Sequence, residues 1–158
     1  MRLALSLALL LFSASPAAAR VVRAEGQWAA IEDGGRCRAM ARSLRDAAKD
    51  EPQAYAALLF DPSRHAVGTV SVRLSRPVRA GSSVILTVGD RPFLLKGQGW
   101  FAWSRGPAQE AAIIAAMRGS SGMRVDARDG AGRRSVDRYL LEGAPTAIDA
   151  AAAACAPR

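Results

Sequence analysis

The sequence is poor in the side chains that most often carry catalysis or bind metals. Among 158 residues it has one histidine, His65, and two cysteines, Cys37 and Cys155. Because no C-x-x-C pair and no cluster of cysteine with histidine is present, neither a zinc site nor a dithiol redox motif is predicted. The Gly-x-Ser-x-Gly turn that presents the nucleophile of many serine hydrolases is also missing. We therefore expect no metal, no cofactor and no enzymatic activity.

Lysine is scarce as well, yet the chain is strongly basic. Lys49 and Lys96 are the only lysines, and arginine supplies almost all of the formal net charge of +8. A basic protein is attracted to anionic surfaces such as lipid headgroups, lipopolysaccharide or nucleic acid, without the charge selecting one of them.

Long apolar runs are missing after residue 19. The chain starts with a positive pair, Met1-Arg2, which precedes an uncharged apolar run at residues 3–12 and a small-residue cleavage sequence, Ala17-Ala18-Ala19. This order is typical of a secretory signal peptide, and the run is too short to span a bilayer. We predict a signal peptide over residues 1–19 and one domain over residues 20–158, located in the periplasm, at the outer membrane or outside the cell; a retained N-terminal anchor is the less favoured alternative.

The two cysteines have no competitors for pairing. Disulfides persist in exported proteins, so the simplest prediction is a bridge between Cys37 and Cys155. It would tie a C-terminal helix to an N-terminal strand and close a loop of more than 100 residues. The alternative, a reactive thiol, requires surroundings that lower the thiol pKa.

Alternation of apolar and polar residues predicts antiparallel strands with one buried face. In residues 36–44 the cysteine and two alanines share one face, while Arg38, Met40 and Arg42 share the other. In residues 66–75 two valines and a leucine face away from a threonine, a serine and an arginine. A lead-in and a first strand are predicted at residues 20–31, and further strands at residues 53–60 and 100–103. Glycine turns predict hairpins at residues 83–96 and 121–142.

Two short helices complete the predicted fold. Pro107 suits a first helical position and Glu110 suits the positive end of the helix dipole, which predicts a helix over residues 107–118. Pro145 opens an alanine-rich helix that ends at Cys155. The fold class is therefore mainly β, an antiparallel β-sandwich or flattened barrel with two short α-helices, the C-terminal one held by the disulfide.

One strand stands out as a candidate binding surface. Trp100, Phe101 and Trp103 lie between two basic residues, Lys96 and Arg105. Aromatic side chains among basic ones can stack on bases or sugars, or lie at a membrane interface. The competing interpretation is structural, in which the helix over residues 107–118 covers this strand and both of its faces are buried.

A second candidate surface is the basic side of the second hairpin. It carries Arg124, Arg128, Arg133, Arg134 and Arg138. Such a row can bind lipopolysaccharide or nucleic acid. Charged strands also prevent pairing between molecules, which is the simpler explanation of the row.

The single histidine permits one enzymatic alternative. Asp61, Ser63 and His65 lie within five residues, and a small periplasmic hydrolase would use His65 as its base. A catalytic triad needs the base between the nucleophile and the acid, which three groups in one turn rarely achieve. A histidine in a solvated loop is therefore favoured.

The layout of the whole chain after residue 19 resembles the invasion-associated locus B family of exported alphaproteobacterial proteins. The residues that carry the resemblance are Trp28, Cys37, Leu141, Gly143, Ala147, Ile148 and Cys155. The chain has Ala144 where members of that family commonly have an aromatic residue, and it lacks the second cysteine pair of many members. The resemblance implies a small β-rich domain of the periplasm or outer membrane without known catalytic residues. It implies a non-catalytic envelope protein that binds a protein or an anionic envelope partner, and a role in invasion is not carried over.

Overall fold

In the computed structural model, which describes residues 18–156, the chain forms ten strands and two α-helices. The strands are β1 (Arg20–Glu25), β2 (Trp28–Asp33), β3 (Arg36–Arg42), β4 (Tyr55–Asp61), β5 (Ala66–Arg73), β6 (Val84–Val88), β7 (Arg91–Gln98), β8 (Phe101–Trp103), β9 (Gly122–Arg128) and β10 (Arg134–Leu140). The helices are α1 (Pro107–Arg118) and α2 (Ala144–Ala154). The predicted signal peptide lies outside the described residues, apart from its last two. Neither helix is long and apolar enough to cross a membrane.

The strands make one antiparallel sheet in the order β1-β2-β3-β4-β5-β8-β7-β6-β9-β10. Its first five strands form a meander, and β8 then pairs with β5. The sheet curls so that its last strand approaches its first ones. A hydrogen bond marks this approach: the backbone N–H of Leu44, just after β3, donates to the carbonyl oxygen of Arg138 in β10 at 2.8 Å. The mainly β antiparallel prediction is confirmed, in the form of a curled open sheet.

The inward side chains of the curled sheet share one core. Leu58, Val72, Leu86 and Val125 come from four different strands, and each is almost fully buried. Burying one such side chain stabilises the fold by about 1.5–3 kcal/mol. The alternation read from the sequence therefore decides which side of each strand faces inward.

Both helices pack on the inner side of the sheet. In α1, Ile113 and Met117 belong to the core. Ile114 lies directly against Gly68 of β5, and a Cβ on Gly68 would be 2.7 Å from the Cδ1 atom of Ile114. In α2 the core residues are mostly alanines, and the helix packs against β1, β2 and β3. Small side chains allow this close approach, and the helix predicted over residues 107–118 is confirmed.

The C-terminal helix is fastened to the first strands. Cys37 in β3 and Cys155 after α2 form the predicted disulfide, with their Cα atoms 5.8 Å apart. Nearby, the end of β1 contacts the connection between β10 and α2. The contact is so close that a Cβ on Gly143 would lie 1.9 Å from the carbonyl oxygen of Glu25. Only a residue without a side chain fits this contact, and Gly143 also has a φ of +82°.

Two local predictions differ from the structure. The single strand predicted over residues 20–31 is a hairpin, because Gly26 adopts a φ of +55° and reverses the chain between β1 and β2. Trp100 precedes β8 and lies in the turn after β7, since Gly99 adopts a φ of +56° directly after that strand.

Candidate functional site

A row of outward side chains crosses five neighbouring strands around β8. Residues paired directly across antiparallel strands point to the same side of a sheet. The pairing places Met40, Ala57, Ser71, Trp103 and Lys96 side by side across β3, β4, β5, β8 and β7. Most of the residues that flank them along the strands lie in the core, so this row faces outward.

Two parallel rows lie on either side of the first. One consists of Arg42, Tyr55, Arg73, Phe101 and Gln98. The other consists of Ile31, Arg38, Leu59 and Thr69. We call the surface formed by these three rows the basic aromatic face.

The three rows of the basic aromatic face carry positive charge, and Asp33 lies beside Arg38 at one border of the face. Its basic residues are Arg38, Arg42, Arg73 and Lys96, and none of its three rows contains aspartate or glutamate. The ion pairs found among residues 18–156 all use other arginines. The Nε atoms of Arg38 and Arg73 are buried, and neither has a hydrogen-bond partner among the described residues.

The aromatic residues of the face pack against each other and against arginine. The rings of Phe101 and Trp103 stack with centroids 6.0 Å apart and planes 19° from parallel. The guanidinium carbon of Arg73 lies 5.8 Å from the ring centroid of Phe101 and 5.7 Å from that of Trp100. Such cation–π contacts stabilise by about 0.5–1 kcal/mol each at exposed sites. Trp100 lies in the turn that borders the face and is 37% exposed, more than Phe101 or Trp103.

The structure answers the question of whether α1 covers these aromatic residues. This helix packs against β5 from the inner side, where Ile114 meets Gly68. Phe101 and Trp103 point to the other side and are half-buried by each other and by Arg73. Their partial burial therefore comes from within the face.

The second candidate surface, on β9 and β10, is exposed but largely charge-paired. Arg124 and Arg134 both donate to Asp126, and Arg133 donates to Asp129. A shallow, open depression of about 610 Å³ lies beside these residues. Arg128 donates to the carbonyl of Gly132, and Arg138 is exposed on the same side of the hairpin. Three of the five predicted arginines are thus already engaged by carboxylates of the same chain.

His65 lies on an exposed turn. It ends a short 3-10 turn, Pro62–Arg64, with a φ of +54°. The Ser63 hydroxyl donates to Asp61 at 2.6 Å, and this hydrogen bond holds the pKa of the Asp61 carboxyl below its usual value. The acid therefore binds the serine directly, and the histidine does not lie between them as a triad requires. Among residues 18–156 no cluster of three or more histidine, cysteine or acidic residues is placed to hold a metal ion.

Only part of the basic aromatic face is evident from the sequence. The aromatic residues Trp100, Phe101 and Trp103 stand out there, but no local pattern connects them with Arg73 of β5 or with Tyr55 of β4. The alternation in each strand indicated the outward side chains, whereas the pairing of β8 with β5 required the structure.

Comparisons with known proteins support the fold. No protein-family model matches the chain, and no curated protein matches it in sequence. Its structure is similar to the crystal structure of invasion associated protein B from Bartonella henselae, with a TM-score of 0.62 and 12% sequence identity over 85% of this chain and 97% of that one. At this identity the similarity shows the fold alone, and it confirms the fold implied by the resemblance.

Proposed function

We propose that this protein is a non-catalytic, exported component of the cell envelope that binds a protein or an anionic envelope partner through the basic aromatic face. The proposal depends on one observation. Arg73 packs over Phe101, which stacks on Trp103, in the middle of a surface that carries several cations and no carboxylate. Tryptophan, tyrosine and arginine are the residues that most often dominate binding energy at protein interfaces.

Three features support the envelope location. The disulfide between Cys37 and Cys155 fits an oxidising compartment. Residues 1–19 have the order of charge, apolar run and small residues that signal peptidases recognise. The fold is that of invasion associated protein B, although nothing in this chain indicates a role in invasion.

The two alternative functions have weaker support. A binder of lipopolysaccharide or nucleic acid through the arginines of β9 and β10 would compete with Asp126 and Asp129, which already engage three of them. A hydrolase based on His65 would need a nucleophile beside it in a concave site, and His65 lies on an exposed turn.

Photo-crosslinking in the native envelope tests the proposal. A photoreactive phenylalanine analogue replaces Trp103 on the face, and the same analogue replaces Ile85, an exposed residue on the far part of the sheet, as a control. We expect a discrete crosslinked species, abolished by high salt, from position 103 and not from position 85. Equal crosslinking at both positions, or recovery of the protein in the cytoplasm, would contradict the proposal.

A further inference from the structure

We infer that the basic aromatic face recognises a protein surface whose aspartate or glutamate side chains pair with Arg38, Arg42 and Arg73 around an apolar centre. This inference rests on the proposed function and narrows it to an acidic protein partner. It names three recognition residues that the sequence did not single out.

Two arginines of the face lack an acidic partner within the chain. The guanidinium groups of Arg38 and Arg73 have buried Nε atoms with no acceptor among the described residues. A buried donor without a partner is costly, and a carboxylate satisfies a guanidinium through two parallel, charge-assisted hydrogen bonds. The chain has 14 acidic residues, yet none lies in the three rows of the face. Because the Nε atoms themselves are covered, a carboxylate of another molecule would pair with the outer nitrogens of these guanidinium groups, which form no ion pair among residues 18–156.

The apolar residues of the face are of the types found at the centres of protein interfaces. Met40, Tyr55, Phe101 and Trp103 surround the small residues at the middle of the face. Aromatic residues, methionine and arginine are enriched at the centres of protein interfaces, where lysine and acidic residues are depleted. The composition of the face matches such a centre.

The aromatic stack argues against nucleic acids and sugars. A base or a sugar binds an aromatic platform through an open ring face. In this protein Arg73 and Trp103 both pack on Phe101, and Arg73 also packs on Trp100. The Phe101 ring therefore already has two partners within the chain, which leaves less of it for stacking with a base or a sugar.

Charge and shape argue against two other occupants. In a symmetric dimer through this face, the positive surface of one copy would face the positive surface of the other, and the two would repel each other. A bilayer takes up apolar side chains that project from the surface. Phe101 and Trp103 are instead half-buried and stack on each other.

The dimensions of the face set the expected strength. It extends from β2 to β7, which is six strands, so it is about 24 Å wide at the usual strand spacing and about 14 Å high over three rows. This area is smaller than one side of a standard interface, and interfaces of that size form weak or transient complexes. A micromolar or weaker affinity is expected.

A synthetic peptide with the repeat Glu-Glu-Leu-Leu is the probe, because both sides of an extended chain then carry an acid and an apolar residue. Its charge-reversed counterpart has the repeat Lys-Lys-Leu-Leu. We expect the acidic peptide to shift amide NMR signals of β3, β4, β5 and β8 and to bind at least about tenfold more tightly than the basic one.

Arginine variants test the pairing. The double change Arg38→Gln and Arg73→Gln is expected to lower the affinity for the acidic peptide by about tenfold or more. The matched control, Arg124→Gln with Arg134→Gln, removes the same charge from the other part of the sheet and should leave the affinity within about twofold. Circular dichroism and the unfolding midpoint check that both variants fold.

Three results would overturn the inference. The first is no binding of the acidic peptide. The second is an equal effect of both double variants. The third is tighter binding of heparin, oligodeoxythymidine or phosphatidylglycerol vesicles to the same face. If crosslinking from position 103 is retained in the Arg38→Gln and Arg73→Gln protein, the proposed function stands and the acidic-partner inference fails.

Discussion

The indole Nε1 of Trp28 donates a hydrogen bond of 2.8 Å to the carbonyl oxygen of Leu140, which follows it by 112 residues. The bond joins the start of β2 to the end of β10 and closes the curled sheet at one end. Trp28 itself is 1% exposed and belongs to the core. The two halves of the sheet therefore meet through a side chain as well as through the backbone.

Replacing Trp28 with phenylalanine is expected to destabilise the fold by about 2 kcal/mol, because it removes this hydrogen bond and leaves a cavity. Urea unfolding followed by circular dichroism measures the change. Trp100→Phe at the exposed turn is the control and should change stability by no more than about 0.5 kcal/mol. Similar losses in the two variants would mean that the bond to Leu140 does not contribute.

Gly143→Ala is expected to lower the free energy of unfolding by more than about 3 kcal/mol, because the new Cβ would lie 1.9 Å from the carbonyl oxygen of Glu25. Gly34→Ala isolates the backbone contribution, since Gly34 also has a positive φ, +56°, but has open space around its Cβ. That variant should lose about 1 kcal/mol. Both losses are read from urea unfolding midpoints, and equal losses would show that the contact with Glu25 relaxes easily.

Reduction of the disulfide between Cys37 and Cys155 is expected to destabilise the protein by up to about 4–5 kcal/mol in the chain-entropy model. The cause is the long closed loop, since the two residues are 118 positions apart. Urea unfolding with and without dithiothreitol measures the difference. The double variant Cys37→Ala and Cys155→Ala should be unaffected by dithiothreitol, and a loss there would point to another cause.

The protein is expected to lose stability at acidic pH, and protonation of the Asp129 carboxylate is expected to cause part of this loss. Burial alone would raise the pKa of this carboxyl, but hydrogen bonds from the backbone of Arg133 and from the side chains of Arg76 and Arg133 outweigh it and hold the pKa below its usual value of 3.8. The folded state therefore has the lower pKa. The stabilisation is fully present above about pH 4 and is lost as the pH falls through the folded pKa.

Thermal unfolding between about pH 5 and pH 2 checks this prediction, with Asp129→Asn as the test variant. We expect a shallower decline in the variant. Asp149→Asn is the control, because hydrogen bonding to Arg118 lowers the pKa of Asp149 in an exposed pair, and exposed pairs contribute little. An unchanged decline in Asp129→Asn would contradict the assignment.

Arg38→Met is expected to raise stability by up to about 1 kcal/mol. The change removes a buried donor without an acceptor and reduces repulsion from the other cations of the face, while methionine keeps much of the side-chain volume. Urea unfolding provides the measurement. Arg23→Met at the edge strand, where the arginine pairs with Glu25, is the control and should be neutral. A loss of stability in Arg38→Met would indicate that this arginine serves the fold.

Much of the fold follows from local patterns. Residues 121–142 alternate cleanly and end in turn residues, so the hairpin of β9 and β10 was predictable from side-chain periodicity alone. The helix α1 was predictable from Pro107 and Gly119, which mark its two ends. The hairpin of β1 and β2 was not found, because its turn consists of Gly26 and Gln27 without a stronger turn residue.

The candidate site was less predictable because it depends on pairing between distant segments. Trp103 and Ser71 are opposite each other only because β8 inserts beside β5, and no local pattern specifies that neighbour. Whether an arginine meets an acid also depends on this pairing. Arg134 of β10 contacts Asp126 of the neighbouring strand β9, while Arg73 contacts the aromatic residues Phe101 on β8 and Trp100 in the turn before it.

The packing of α2 on β1, β2 and β3 has a consequence for the order in which the protein can fold. A chain made from its N-terminus presents these strands first, but their inner side stays uncovered until the last segment, up to Cys155, has been produced. Contacts between such distant segments make folding slow. A chaperone that shields the first three strands in the interval would therefore be expected to raise the yield of native protein more than one that acts on the finished chain.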